Sequence, residues 1–514
     1  MKSSLHRRQF LWQGLIGGAC LAAAPSVGFP AILRSRPRIP YGVQSGDPRS
    51  DGAVIWSRSD RPARLWVETA ATEDFRNPTR IRGPEALEVD DFTARLALDH
   101  LPEGQECFYR VWFEDLDDRR AESERVVGRL VTAPEGRSDV TFLWSGDTAG
   151  QGFGIDESQG GMATYAAMRE EAPDFFIHSG DLIYADAPLA SELAVTGGGV
   201  WKNLVTEAKS KVAETLDEFR GNYAYNLLDQ NVRGFNAAVP QIVQWDDHET
   251  VNNWYPGEVL DDPRYQVQQV SLLAARARRA FFDYTPIRRH EARPDRVHRV
   301  LRYGSHLDVF VVDFRSFRGP NSANLQTEMS PQTAFLGAEQ LHWLQQELKE
   351  SRATWKVIAA DMPIGLVVPD GDAAENGANG DGPPRGRELE IAALLSFLQR
   401  EAVRNVVFVT ADVHYAAAHR YDPDRARFKD FDAFHEFVAG PLHAGTFGPN
   451  PLDDTFGPAV LFQKVPPEGQ ANLPPSAGFQ FYGKVTIEGA TGGMTVSLHD
   501  RSGESLYSLT LDPS

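Results

Sequence analysis

Four short apolar runs in this chain each stop at residues able to hold a hard metal ion. Phe142-Leu-Trp144 runs into Ser145-Gly146-Asp147, and Phe175-Phe-Ile177 is followed by Gly180-Asp181 and Tyr184. Ile242-Val-Gln-Trp245 delivers Asp246-Asp247-His248-Glu249, and Val406-Val-Phe-Val-Thr410 delivers Asp412 and His414. Carboxylate and phenolate oxygens are hard anionic donors suited to a highly charged cation such as Fe³⁺, and imidazole complements them. Taken singly, each Asp is a turn or helix cap and each His a satisfied core residue. Taken together, carboxylates gathered at one place would repel strongly unless cations neutralised them. The expectation is a polynuclear metal site at these four strand ends.

Such a site needs strands that end side by side, because an open α/β sheet binds its ligands beyond the strands' carboxyl ends. After Asp139 the sequence supplies them. Buried strands are predicted at Val140–Trp144, Asp174–Ile177, Gln241–Gln244, Leu307–Val312, Trp355–Ala360 and Val406–Thr410. They alternate with helical patterns at Met162–Glu171, Ala208–Leu228, Val267–Tyr284, Gly337–Glu350 and Arg387–Glu401, which indicates a large layered α/β domain over 137–514. Three hairpin-like strands between Gly478 and Leu511 would finish one of its sheets. Pro369 to Arg387, rich in Gly, Asp, Asn and Pro, reads as a long loop, either a lid or merely mobile.

Ahead of this, residues 39–136 carry short alternating strands (Ala53–Ser57, Arg64–Thr69, Thr93–Leu98, Cys107–Glu114, Val126–Val131) parted by turn clusters. This is the pattern of a small immunoglobulin- or fibronectin-like β-sandwich with nothing catalytic in it. Residues 1–38 read as an address. Lys2, Arg7 and Arg8 precede an apolar run from Phe10 to Ala24, resembling a twin-arginine export signal with a cleavage site near Ala22–Ala24. The run is too short and Gly-interrupted for a spanning helix, so no integral membrane segment is expected in the mature chain. Export by the twin-arginine machinery implies a periplasmic or secreted protein that folds before crossing. Of the two cysteines, Cys20 falls in the address and leaves Cys107 alone as a buried core thiol.

At 514 residues, with 42% hydrophobic and 24% charged residues, the chain is an ordinary globular protein of more than one core. Its formal net charge of −19 opposes a nucleic-acid or anionic membrane surface but permits a small anionic substrate at a locally positive metal site. No Gly-x-Ser-x-Gly elbow is present, and Gly150-Gln-Gly-Phe-Gly154 lacks both a third dinucleotide-loop glycine and a Walker lysine.

The order Asp, Gly-Asp, (Asn or Asp)-His-Glu and a last motif ending in His resembles the metallophosphoesterases. The wording Gly180-Asp-Leu-Ile-Tyr-Ala-Asp186, Trp245-Asp-Asp-His-Glu249 and Thr410-Ala-Asp-Val-His414 is similar to the PhoD-type alkaline phosphatase and phosphodiesterase branch. Gly42-Val-Gln-Ser-Gly-Asp-Pro48 and Asp51-Gly-Ala-Val-Ile-Trp56 resemble that branch's leading β-domain. The resemblance implies an α-β-β-α catalytic layer structure and a phosphoric ester hydrolase. It makes Asp181 the bridging carboxylate, Tyr184 an iron ligand, Asp247 the counterpart of a metal-binding Asn, and His248 the catalytic histidine. Asp412 and His414 fall at the last metal motif. It also implies Fe³⁺ with Ca²⁺; the first motif of the branch's best-known form carries a Cys where this chain has Asp147, so another metal set is open. Arg315 and Arg318, after a further buried strand, are candidates to hold phosphate oxygens bidentately, the alternative being salt-bridged arginines. Two rival readings remain: a diesterase or phospholipase D-like activity, and a catalytically silent secreted binding protein stabilised by metal.

Overall fold

The structure is a computed structural model that describes residues 36–196 and 198–514. The twin-arginine segment, its cleavage site and Cys20 lie outside the described residues. Residues 36–514 form one compact unit.

Seven strands come first: β1 Val43–Arg49, β2 Gly52–Arg58, β3 Ala63–Ala70, β4 Thr79–Ala86, β5 Thr93–Leu98, β6 Glu106–Asp115 and β7 Val126–Val131. They are followed by β8 Val140–Ser145, helix α1 Ala163–Glu170, β9 Phe175–Ser179 and a small hairpin of β10 Glu192–Ala194 with β11 Val200–Lys202. Next come α2 Leu216–Asn226, α3 Gln230–Ala238, β12 Gln241–Gln244, α4 Val270–Tyr284, β13 Arg299–Tyr303, β14 Leu307–Val311, α5 Ala338–Glu350 and β15 Trp355–Ala359. The chain closes with the two-residue pair β16 Pro369–Asp370 and β17 Ala373–Ala374, then α6 Glu388–Arg400, β18 Val406–Thr410, β19 Ala416–Tyr421, β20 Phe434–Val438 and β21 Pro458–Lys464. Three antiparallel strands, β22 Phe481–Ile487, β23 Met494–Asp500 and β24 Ser505–Leu511, end it.

Side-chain alternation along the central strands dictates the layering. From β8, β9 and β12, Phe142, Trp144, Phe175, Ile177 and Ile242 share one core with Val309, Val311, Val357, Ala359, Val407 and Val409 of β14, β15 and β18. The intervening residues Leu143, Phe176 and Val243 point the other way and pack with Met168, Phe219, Phe235 and Phe281 of α1 to α4. On the second sheet Phe310, Ile358 and Phe408 meet Leu344 of α5 and Leu394 and Leu398 of α6. Two sheets are thus pressed face to face between two helical layers. Strands buried on both faces read as continuous apolar runs, which is why they were legible.

The nine-stranded sheet runs β24-β23-β22-β8-β9-β12-β1-β2-β5 and the seven-stranded one β13-β14-β15-β18-β20-β19-β21. The predicted C-terminal hairpins therefore complete the first sheet, through β22 on β8. Its other flank comes from the N-terminal segment, because β1 pairs parallel with β12, Gly46 opposite Gln241. The strands β4-β3-β6-β7 make a separate sheet. It faces β1, β2 and β5 across a core that includes Val43, Ile55, Leu65, Val67, Tyr109 and Val111. The N-terminal strands are thus packed sheet on sheet, yet one of their sheets continues into the rest of the molecule across residue 136.

Three expectations shift. The single helix read over Ala208–Leu228 is a one-turn helix at Glu207–Lys209, a break, and then α2; Thr215 caps α2 in a capping box with Glu218. Helix α3, capped by Asp229, and strands β1 and β4 were not anticipated. The Pro369–Arg387 stretch is folded inward: β16 pairs with β17, and Glu375 and Asn376 behind it are buried.

Candidate metal centre

Strands β8, β9 and β12 are mutually parallel, as are β14, β15 and β18. The carboxyl ends of all six converge. They contribute Asp147 from β8, Asp181 from β9, Asp246 to Glu249 from β12, Asp313 and Arg315 from β14, Asp361 from β15, and Asp412 and His414 from β18.

Two groups of donors have ligand atoms within 4.8 Å of one another: Asp147 with Asp181 and His414, and Asp181 with Asp247 and His248. Asp181 belongs to both, the geometry of a carboxylate shared by two cations. The Tyr184 hydroxyl joins the first group, 2.9 Å from His414 Nε2. His414 gives its Nδ1–H to the Gly445 carbonyl, which leaves the Nε2 lone pair facing the carboxylates. His248 is held the same way: its Nδ1 lies 2.7 Å from Asp186 Oδ1, its ring stacks on Tyr184 at 4.2 Å, and Nε2 is left for the site. Asp186 is itself fixed by the Asn252 N–H at 2.9 Å. Asp412 is partly exposed and outside both groups, beside Asp246 and Glu375.

The turns carrying these groups are forced. Asp147, Asp181, Asp412 and His414 have φ values of 67°, 53°, 67° and 61°, the left-handed region non-glycine residues avoid. Gly180, at φ 100°, lies so close to the next strand that a Cβ there would stand 2.5 Å from the Asp246 Cβ. Glu249 pins the turn from below, accepting from the N–H groups of Asp181 at 3.2 Å, Leu182 at 2.6 Å and Asp246 at 2.9 Å.

Electrostatics say what the site could hold. Burial, then the Asp246 carboxylate, raises Asp147 well above the carboxylate range; burial, then Asp247 and Asp246, does the same to Asp181. Burial and Asp246 likewise raise Asp361. Burial with Asp181 and Asp147 pushes the Tyr184 phenol up, a direction that a bound cation would oppose. Asp147 Oδ2 is buried without any hydrogen bond, and the buried carboxyls of Asp246 and Asp361 face one another. Buried carboxylates left so are costly unless they coordinate metal, and this donor set of hard oxygens and imidazole nitrogens fits a pair or more of hard cations. Opposite in sign, burial disfavours an imidazolium at His248, but Asp186 and Asp247 overcome it and hold the ring up at about 9. Burial drops His414 to about 4, so it is neutral as a ligand must be.

The arginines are placed differently from each other. Arg315 is fully buried, with Nε 2.6 Å from Asp246 Oδ1 and Nη1 2.6 Å from Glu375 Oε1. Its Nη2 has no hydrogen bond and stands 3.9 Å from Asp247 Oδ1. Arg318 spends its guanidinium on Glu375, at 2.8 Å from Oε1, and on Asn321 at 3.0 Å. It clamps the Pro369–Arg387 stretch. Four further residues escaped the sequence reading: Asp361, Asp186, Glu375 and the buried Lys209, whose Nζ donates to the Tyr184 carbonyl at 2.8 Å. Asp361 obeys the same rule as the others, an Asp just past an apolar strand, and was findable; Asp186 closes the Gly180 to Asp186 motif, while Glu375 and Lys209 had no such signal.

Known proteins place this arrangement. The model of the PhoD-like phosphatase family matches residues 142–498, and that of its N-terminal domain residues 23–134. Alkaline phosphatase D of Bacillus subtilis is 27% identical over 439 residues, 80% of this chain and 71% of that protein. A solved structure of PhoD superposes with a TM-score of 0.69 at 21% identity, covering 95% of this chain and 94% of that one. Purple acid phosphatase PPD1 from yellow lupin seeds superposes at 0.56 with 13% identity, covering 93% and 74%. The likeness to these two structures is one of fold. The family match spans well over half of the sequence and the converging strand ends: the chain belongs to the PhoD-like phosphatase family.

Proposed function

We propose that this protein is an exported, metal-dependent phosphoric ester hydrolase acting on small phosphate esters. The observation that carries it is Asp181, shared between two groups of ligand atoms at the joint carboxyl ends of two sheets, in a chain of this family. Asp147, Asp181, Tyr184 and His414 would hold one cation; Asp181, Asp247 and the Asp412 side of the site would hold the other. Fe³⁺ with Ca²⁺ is the pair we favour, since every donor is a hard oxygen or an imidazole nitrogen, while Asp147 in place of a thiolate leaves other hard divalent cations open. When bound, such cations polarise the phosphoryl oxygens and supply hydroxide from water near neutral pH.

The chain's own residues then do three things. His248, kept protonated and oriented by Asp186, presents Nε2–H to the leaving alkoxide and gives it the proton. Arg315, anchored by Asp246 and Glu375, offers its free Nη2 to a phosphate oxygen as charge grows there. Tyr184, stacked on His248, fixes the plane of the acid. In this reading 39–136 is an immunoglobulin- or fibronectin-like module lending a sheet edge, and 137–514 is the α-β-β-α catalytic domain. The address in residues 1–38 sends the protein to the periplasm or beyond. Among the described residues no helix is long and apolar enough to cross a membrane.

Hydrolysis of a p-nitrophenyl phosphate monoester and of the bis-p-nitrophenyl diester tests the reading. Turnover of either, abolished by Asp181→Asn, is expected; the ratio sets monoester against diester preference. No turnover of either by metal-replete protein sends the chain to the class of silent binding proteins.

A further inference from the structure

On an acidic protein, one cavity of about 1,020 Å³ is lined by six arginines. None of its lining residues belongs to the carboxylate and histidine cluster. Three of the six are neutralised: Arg49 by Asp51 at 2.9 Å, Arg299 by Asp47 at 2.7 Å, and Arg302 by Glu347 at 2.7 Å. The other three are held more loosely. Arg288 has a carboxylate only at 3.5 Å from Nη1, and its Nε and Nη2 are buried with no hydrogen-bond partner. Arg289 stands 3.8 Å from Asp283, a carboxylate already taken by Arg220 at 2.7 Å and Arg279 at 2.9 Å. Arg296 lies over the Trp343 ring at 4.7 Å and spends Nε on the His298 carbonyl, leaving its outer N–H groups without a carboxylate. The remaining lining carboxylates, Glu135 and Glu291, are exposed and pair with none of the three.

Buried N–H donors without partners are costly, and a guanidinium fork is matched by a tetrahedral oxyanion. Three loosely paired guanidiniums lining one cavity leave positive charge for an anion. We propose that this cleft is a second anion site, binding a phosphate dianion through Arg288, Arg289 and Arg296 apart from the metal centre.

The test is calorimetric titration of the metal-loaded, full-length protein with inorganic phosphate in chloride buffer, before and after Arg288→Gln combined with Arg296→Gln. We expect two classes of site in the wild type. The double substitution weakens one class more than about tenfold, as loss of charged hydrogen bonds predicts. It leaves kcat/KM for a small aryl phosphate unchanged, which also reports an intact fold. A single class of site, or two classes that both survive the substitution, overturns the proposal. Should the double variant fail to fold, Arg289→Glu decides: its side chain is exposed and holds no hydrogen bond, so charge reversal there must weaken the same class severalfold, and an unchanged titration refutes the site.

Discussion

The sheet β4-β3-β6-β7 and the carboxyl ends of β8, β9, β12 and β18 are built from the same element, and they treat charge in opposite ways. In the former, Glu68 is paired with Arg110 at 2.5 Å, and Trp66 stacks on its cross-strand partner Trp112 at 6.1 Å. Arg80 covers both rings at 4.3 and 4.7 Å, with Arg125 over Trp112 at 4.5 Å. The polar side-chain atoms this sheet leaves buried and unpartnered, at Trp66, Tyr109 and Trp112, are neutral. At the strand ends the unpartnered atoms include a carboxylate oxygen of Asp147, raised by burial and then by Asp246 and carried on left-handed backbone. One region is complete as a folded protein. The other gathers two groups of side chains that could hold metal ions, and that difference marks the candidate site.

The largest effect expected from breaking this contrast is at Asp181. Asp181→Asn removes the shared ligand, so kcat falls a thousandfold or more, about 4 kcal/mol of barrier. Because it also removes a repelled carboxylate, the chelated variant melts higher than the chelated wild type; calorimetry with and without chelator reads both. The reverse outcome belongs to the paired region. Trp112→Ala should cost about 3–5 kcal/mol of stability in urea unfolding while the folded fraction keeps its kcat/KM. Smaller is Asp186→Asn, which frees His248 without touching a ligand: a ten- to hundredfold loss of kcat is expected. Without that carboxylate the imidazolium, now held at about 9, gives up its proton at lower pH, so the alkaline limb of the pH–rate profile moves down. Smallest is Cys107, buried in the paired region with its thiol pushed up to about 11 by burial. Below that value it stays protonated, so alkylation at pH 8 should be slow in the native protein and fast once it is unfolded.

What the sequence disclosed follows the same division. The ligand strands were legible because burial on both faces makes an unbroken apolar run, and each ends on residues with no business at a core boundary unless they do chemistry. Val406–Thr410 came out to the residue, and Phe175–Ser179 to within two. The rest was written in contacts rather than runs. Glu375 lies in a stretch without periodicity and reaches the centre only because Arg315 and Arg318 draw it in. Lys209 sits on a one-turn helix inside what reads as one long amphipathic helix, since Thr215-Leu-Asp-Glu218 restarts the helix and was passed over as a cap. The continuation of the N-terminal strands into the large sheet depends on the β1 to β12 pairing, made between residues almost two hundred apart and invisible to any local pattern.

Whether the strand-end carboxylates form a metal centre is decided by elemental analysis of the purified protein, paired with aryl phosphate turnover before chelation, after it and after add-back. At least two cations per chain are expected, with turnover lost on chelation and restored by add-back. A chain isolated without stoichiometric metal, whose turnover ignores chelation, would contradict that reading.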